Sequence, residues 1–128
     1  MRRTAGQALV EFALVLPLVV ALTLGVLQVV LYAQARDVVV SSAQEAARLS
    51  AEDGRTLADG YARARALVTA GLGTSVDPLQ VDGSMDADLV DIRLDAALQP
   101  ILPLPAVGGL PIHAEAWIAR ERFRPGGH

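Results

Sequence analysis

Gly6-Gln7-Ala8-Leu9-Val10-Glu11-Phe12 opens the stretch that decides the architecture, because from Phe12 to Ala35 there follow 24 positions without a charged residue, most of them Leu, Val or Ala. A bilayer core is crossed by about 20 apolar residues in helical form, so a membrane-spanning helix is predicted here. Glu11 stands at its front edge. An unpaired charge carried to the centre of such a helix costs about 2.5–3.5 kcal/mol on insertion scales, and less near the interface. A partner of opposite charge is the cheapest way to keep this carboxylate ionised.

Working outward, Arg2 and Arg3 precede the apolar run, and the positive-inside rule puts the N-terminus in the cytoplasm and the chain beyond Arg36 outside. Pro17 lies within the run and removes one backbone donor, which membrane helices tolerate better than soluble ones. Ala13, Ala21 and Gly25 offer a small-residue packing face. Gln28 is polar at depth and is expected near the outer interface, where aromatic residues such as Tyr32 concentrate. The helix does not need to end there: Val38, Val39, Ala43, Ala46, Ala47 and Ser50 continue a small or apolar face with near-helical spacing, while Gln44, Glu45 and Arg48 point elsewhere. One helix of about 40 residues, roughly 60 Å long, results, and Ala51-Glu52-Asp53-Gly54 breaks it.

A second helix is expected from Thr56, capped by Asp59 three residues on, to a C-cap at Gly71. Its apolar stripe is Leu57, Tyr61, Ala64 and Val68, with Arg63 and Arg65 on a solvated face. Val90, Ile92, Leu94 and Ala96 alternate with Asp91, Arg93 and Asp95, and Ile112, Ala114, Ala116 and Ile118 alternate with His113, Glu115 and Trp117. This period of two predicts strands with one buried face. A shorter strand is expected from Leu79 to Val81, ended by Asp82-Gly83 as a turn. The fold class is therefore α+β: a long N-terminal transmembrane helix extending out of the membrane, a second helix, and a small antiparallel sheet of about three strands. Between the two long strands, the segment from Gln99 to Pro111 is rich in proline yet apolar, as expected of a surface that contacts a partner or the membrane; the other reading is that it folds back over the domain's own sheet.

Composition narrows the function. The chain has 128 residues, no cysteine, 11 basic residues that are all Arg, and 14 acidic ones. Disulfides and thiolate chemistry are excluded, and an acidic chain is a poor nucleic-acid binder. No catalytic residue and no cofactor is expected. His113 and His128 are the two histidines, the first on the polar face of a strand. Asp82, Asp86, Asp88 and Asp91 cluster in sequence but lack the calcium-loop pattern and its closing Glu, so no metal ligand is expected either.

A basic leader, and a Gly followed five residues later by Glu and then an aromatic, resemble the processing site of type IV-like prepilins. The resemblance implies a prepilin peptidase that cuts on the cytoplasmic side between Gly6 and Gln7. It also implies that Glu11, next to Phe12, serves assembly by pairing with the new N-terminus of a neighbouring subunit. Two other readings of the residues stand beside it: a plain signal anchor with Glu11 at the headgroups, and a secretory signal peptide removed after Ala33-Gln34-Ala35, although the apolar run exceeds the usual 7–15 residues. The residues from Gly6 to Phe12, then Ala13-Leu14-Val15-Leu16-Pro17-Leu18, Leu24-Gly25-Val26 and Ala43-Gln44-Glu45-Ala46-Ala47-Arg48 are similar to the TadE-like family, pseudopilins of the tight adherence (Tad, or Flp) pilus system. One departure is Gln28, where the family often has an acid. The resemblance implies residues 1–6 as leader and covers most of 7–50, the transmembrane and extended helix; the residue pattern beyond it gives 51–128 as a small exported α+β domain. It further implies a single-pass plasma-membrane protein whose partners are the peptidase and other pilins and pseudopilins. The alternative is a signal-anchored extracytoplasmic binding module.

Overall fold

A computed structural model describes residues 2–100 and 109–120. Its first element is a single helix, α1 (Arg2–Ala51), which passes through Pro17 without a break. The helix outlasts the predicted 40 residues because nothing between Arg2 and Ala51 competes with it. It stops where Glu52-Asp53-Gly54 turns the chain, with Gly54 at φ 79°, a conformation that glycine adopts without a Cβ penalty.

α2 (Leu57–Leu72) follows, and its N-terminus is the predicted capping box: Thr56 Oγ1 accepts from the Asp59 backbone N–H, and the Asp59 carboxylate accepts from the Thr56 N–H at 3.0 Å. The C-cap is Gly73, two residues beyond the predicted Gly71. Gly71 is still helical, and because a side chain there would collide with Val38 of α1 its small size serves helix packing; Gly73 takes the positive φ of 56°. A 3-10 turn (Gly73–Ser75) then leads into the sheet.

β1 (Val76–Met85), β2 (Leu89–Leu98) and β3 (Leu110–Ala119) form an antiparallel sheet in the order β1-β2-β3. The two long strands are as predicted. β1 is not the short Leu79–Val81 strand, and Asp82-Gly83 is not its turn. Gly83 pairs with Ile92 inside the ladder, because Leu79, Val81, Gly83 and Met85 continue the inward alternation past it. The chain reverses instead at Asp86–Asp88, closed by Asp86 N–H to Leu89 O at 2.8 Å.

The core lies between the inner face of the sheet and the two helices. Val90, Ile92, Leu94, Ile112, Ala114 and Ala116 meet Ala35, Val39, Ala43, Ala46 and Ala47 of α1 and Ala64 and Val68 of α2. The small residues of α1 let the sheet and α2 approach closely. Burial begins at Ala35; every apolar side chain earlier in α1 is exposed or half-exposed. From the apolar Gln99–Pro111 segment, Gln99, Pro100 and Gly109–Pro111 belong to the described fold, while residues 101–108, on which the predicted contact surface mainly falls, lie outside the described residues.

Candidate functional site: the exposed apolar helix and its front edge

Between Leu9 and Val30 α1 carries exposed apolar side chains on every side. Leu9, Leu14 and Val26, spaced around the helix at about 100° per residue, are 70 %, 71 % and 58 % exposed. A helix apolar on every face belongs in lipid or within a bundle. The helix is long and apolar enough to cross a membrane, with a mean hydropathy of 2.6 over its best window. Phe12 to Leu31 supplies the twenty residues that a 30 Å core takes at about 1.5 Å each.

Gly6, Gln7, Glu11 and Phe12 are all placed on the exposed surface at the start of this helix. Gln7 and Glu11 are one turn apart and, with Thr4 and Ala8, line a shallow hollow. Side chains at this spacing have Cβ atoms about 5–6 Å apart, so a charge placed at residue 7 lies within reach of the Glu11 carboxylate. Phe12 projects from the neighbouring face and is 65 % exposed. A Cβ at Gly6 would meet nothing within 4 Å, so the helix itself does not require glycine at that position. Among the described residues Glu11 has no ion-pair or hydrogen-bond partner.

At the other end of the apolar run the helix enters the head. Tyr32 O–H donates to Pro111 O at 2.8 Å, tying α1 to the first residues of β3. Gln28 is half-buried and, with Leu31, Gln34, Ser75, Leu98 and Gln99, lines a cavity of about 260 Å³ beneath the sheet. Sequence reasoning placed Gln28 and Tyr32 at the same level but missed what they touch. It also missed Ala35 and Ser42 as buried positions, although with Val39, Ala46 and Ser50 they complete the helical spacing of that face.

The outward face of the sheet is polar. Arg93 lies 3.4 Å from Asp91 and 4.0 Å from Glu115, and His113 Nδ1 lies 2.6 Å from Asp95. The His113–Asp95 contact is exposed and charged on both sides only when the imidazole is protonated, while Asp91, beside Arg93, is largely covered; an exposed pair contributes about 0–1 kcal/mol. Among the described residues, no three potential metal-ligating side chains come together. The α2 side of the sheet holds Tyr61, whose O–H donates to Gly83 O at 3.2 Å. Its pKa is raised above the ordinary value, first by burial and then by the negative charge of Asp82, with Arg93 opposing.

Comparison with known families falls on this same helix. The family model described as TadE-like protein matches residues 6–48. The N-terminal third of the chain is thus similar to TadE-like proteins. The match begins at Gly6 and runs through the apolar stretch to just beyond the buried Ala46-Ala47 pair. No curated protein and no solved structure matches the chain.

Proposed function

We propose that this TadE-like chain is a pseudopilin: a minor, pilin-like component of a Tad (Flp) pilus that acts in biogenesis or assembly and carries out no catalysis. A prepilin peptidase removes residues 1–6 by cutting between Gly6 and Gln7, and the mature protein stays in the plasma membrane through the rest of α1. Arg2 and Arg3 keep the N-terminus cytoplasmic, and the head, residues 51–128 together with the outer turns of α1, lies outside. The observation that carries the proposal is the register of Gly6 and Glu11 at the front of an exposed, uncharged helix, within the segment that the TadE-like family model matches.

The chemistry is consistent. Cleavage creates an ammonium group at Gln7, the one new positive charge at the level of Glu11. Packing α1 against the helices of other pilins and pseudopilins brings that ammonium group of one subunit to the carboxylate of the next. The pair removes the unfavourable energy of a lone carboxylate at the membrane edge and sets the axial register of neighbouring helices. Phe12 and the small residues Ala13, Ala21 and Gly25 supply the packing surface.

The test is the mature N-terminus. Intact-mass measurement of the protein from native membranes should show loss of Met1 to Gly6, and replacement of Gly6 by a bulky residue such as Leu should leave the leader on. An N-terminus at Arg36, or an uncut chain where the peptidase is active, would refute processing.

A further inference from the structure

Three uncharged pieces of chain meet at one end of the head. No charged residue occurs from Phe12 to Ala35, from Ala66 to Val76, or from Ala96 to Ile112. The fold brings their described parts together around α1 residues 28–35. Gly71, Leu72 and Ser75 stand with Leu98 and Gln99 around Gln28, Leu31 and Gln34. Leu110 closes on Val29 and Tyr32, and Pro111 accepts the Tyr32 hydrogen bond. Gln99 N–H donates to Ser75 O at 2.9 Å, joining the last two pieces. The opposite end of the sheet carries charge: Asp86, Asp88 and Arg120 share the β1–β2 turn, with Arg120 N–H donating to Asp88 O at 2.9 Å.

This polarity coincides with the membrane boundary set by α1. With Phe12–Leu31 in the hydrocarbon core, Tyr32 lies at the outer interface and Arg36 and Asp37 one turn above it. The sheet's first charged residue, the exposed Asp77, follows Ser75 by two positions. Leu, Pro and Tyr mixed with neutral Gln, Ser and Thr form the kind of surface that the headgroup region accepts, since apolar area leaves water and no ion is desolvated.

We propose that this end of the head is a second membrane contact, resting on the phospholipid surface of the outer leaflet through Thr74, Leu110 and Pro111. The proposal rests on the reading that α1 spans the bilayer. The contact is continuous with the lipid-facing surface of α1, and it holds the head upright on its stalk and limits its tilt.

Trp117 is the single tryptophan and is 66 % exposed, which allows a depth measurement on the full chain. In phosphatidylcholine vesicles containing 6,7-dibromo-phosphatidylcholine, tryptophan introduced by Thr74→Trp or Leu110→Trp, each with Trp117→Phe, should be quenched at least twofold more than native Trp117. Leu18→Trp in the same background reports on the span. Strong quenching at residue 18 with none above the Trp117 level at residues 74 and 110 overturns the membrane contact and leaves the span intact. Absence of quenching at residue 18 refutes the span and the contact with it. Thr74 is exposed, so its variant decides the matter if Leu110→Trp fails to fold.

Discussion

Replacing Gly60 with Ala tests the crossing that holds the head on its stalk. Gly60 is buried in α2 where α1 passes closest, and a Cβ there would overlap Ser50 Oγ and lie 2.9 Å from the carbonyl oxygen of Ala46. In an exposed helix the same change would stabilise by about 1 kcal/mol through propensity. Here two effects oppose that gain. Ser50 is fully buried, so its hydroxyl has little room to turn away, and the Ala46 carbonyl belongs to the helix backbone, so relief requires the two helices to separate. Overpacking of a tight core costs about 1–3 kcal/mol, and contact with backbone belongs in the upper part of that range. The expected net effect is a loss of about 1–2 kcal/mol, equivalent to a fall in melting temperature of roughly 4–16 °C for a domain of this size. Thermal loss of near-ultraviolet circular dichroism, measured on the full chain in detergent, reads it. Gly25→Ala, where a Cβ meets nothing within 4 Å, serves as control and should not lower the transition. Ser50→Gly combined with Gly60→Ala should recover part of the loss, since one of the two overlaps is gone. A Gly60→Ala protein as stable as the parent, or more so, would refute the close crossing.

Three further outcomes are expected. Glu11→Ala should lose its leader normally, as judged by mass, yet fail to support piliation in a complementation assay; normal pili would show that the carboxylate has no part in assembly. Leu94→Ala removes a fully buried side chain from the centre of β2 and should cost about 2–5 kcal/mol in thermal unfolding, while the exposed leucines of α1 should tolerate alanine in detergent with little change. Tyr61 titrates above its ordinary value near 10 in the folded state, so above that pH the unfolded chain holds fewer protons and stability falls as pH rises through the folded value. Tyr61→Phe should flatten this alkaline decline while costing about 0.5–1.5 kcal/mol at neutral pH through the lost bond to Gly83, and an unchanged alkaline limb would show that burial does not act on this phenol.

Much was legible from local pattern alone, because the relevant physics is local. The uncharged run after Glu11 makes a helix long and apolar enough to cross a membrane legible whatever follows it, since backbone groups in hydrocarbon must be satisfied within the segment. The Thr56–Asp59 capping box and the period-two alternation around Ile92 and Ala114 likewise depend on neighbours a few residues away. Gly6 and Glu11 were singled out through spacing and resemblance, and the helix adds only that both are exposed and that Gln7 and Glu11 share a face. Tertiary structure decided what depends on contact across the fold. The sequence pointed to Gly71 as the cap, whereas in the fold Gly71 packs closely on Val38 and Gly73 takes the positive φ that ends the helix. Asp82-Gly83 has the composition of a turn, but pairing with β2 keeps it extended, because the half-buried alternation of Leu79, Val81, Gly83 and Met85 outweighs a local turn preference. The meeting of Gln28 and Tyr32 with Ser75, Gln99 and Pro111 was invisible in sequence, since it joins segments as many as 79 residues apart. The reason is physical: periodicity reports which face of an element is buried, and only packing determines what buries it.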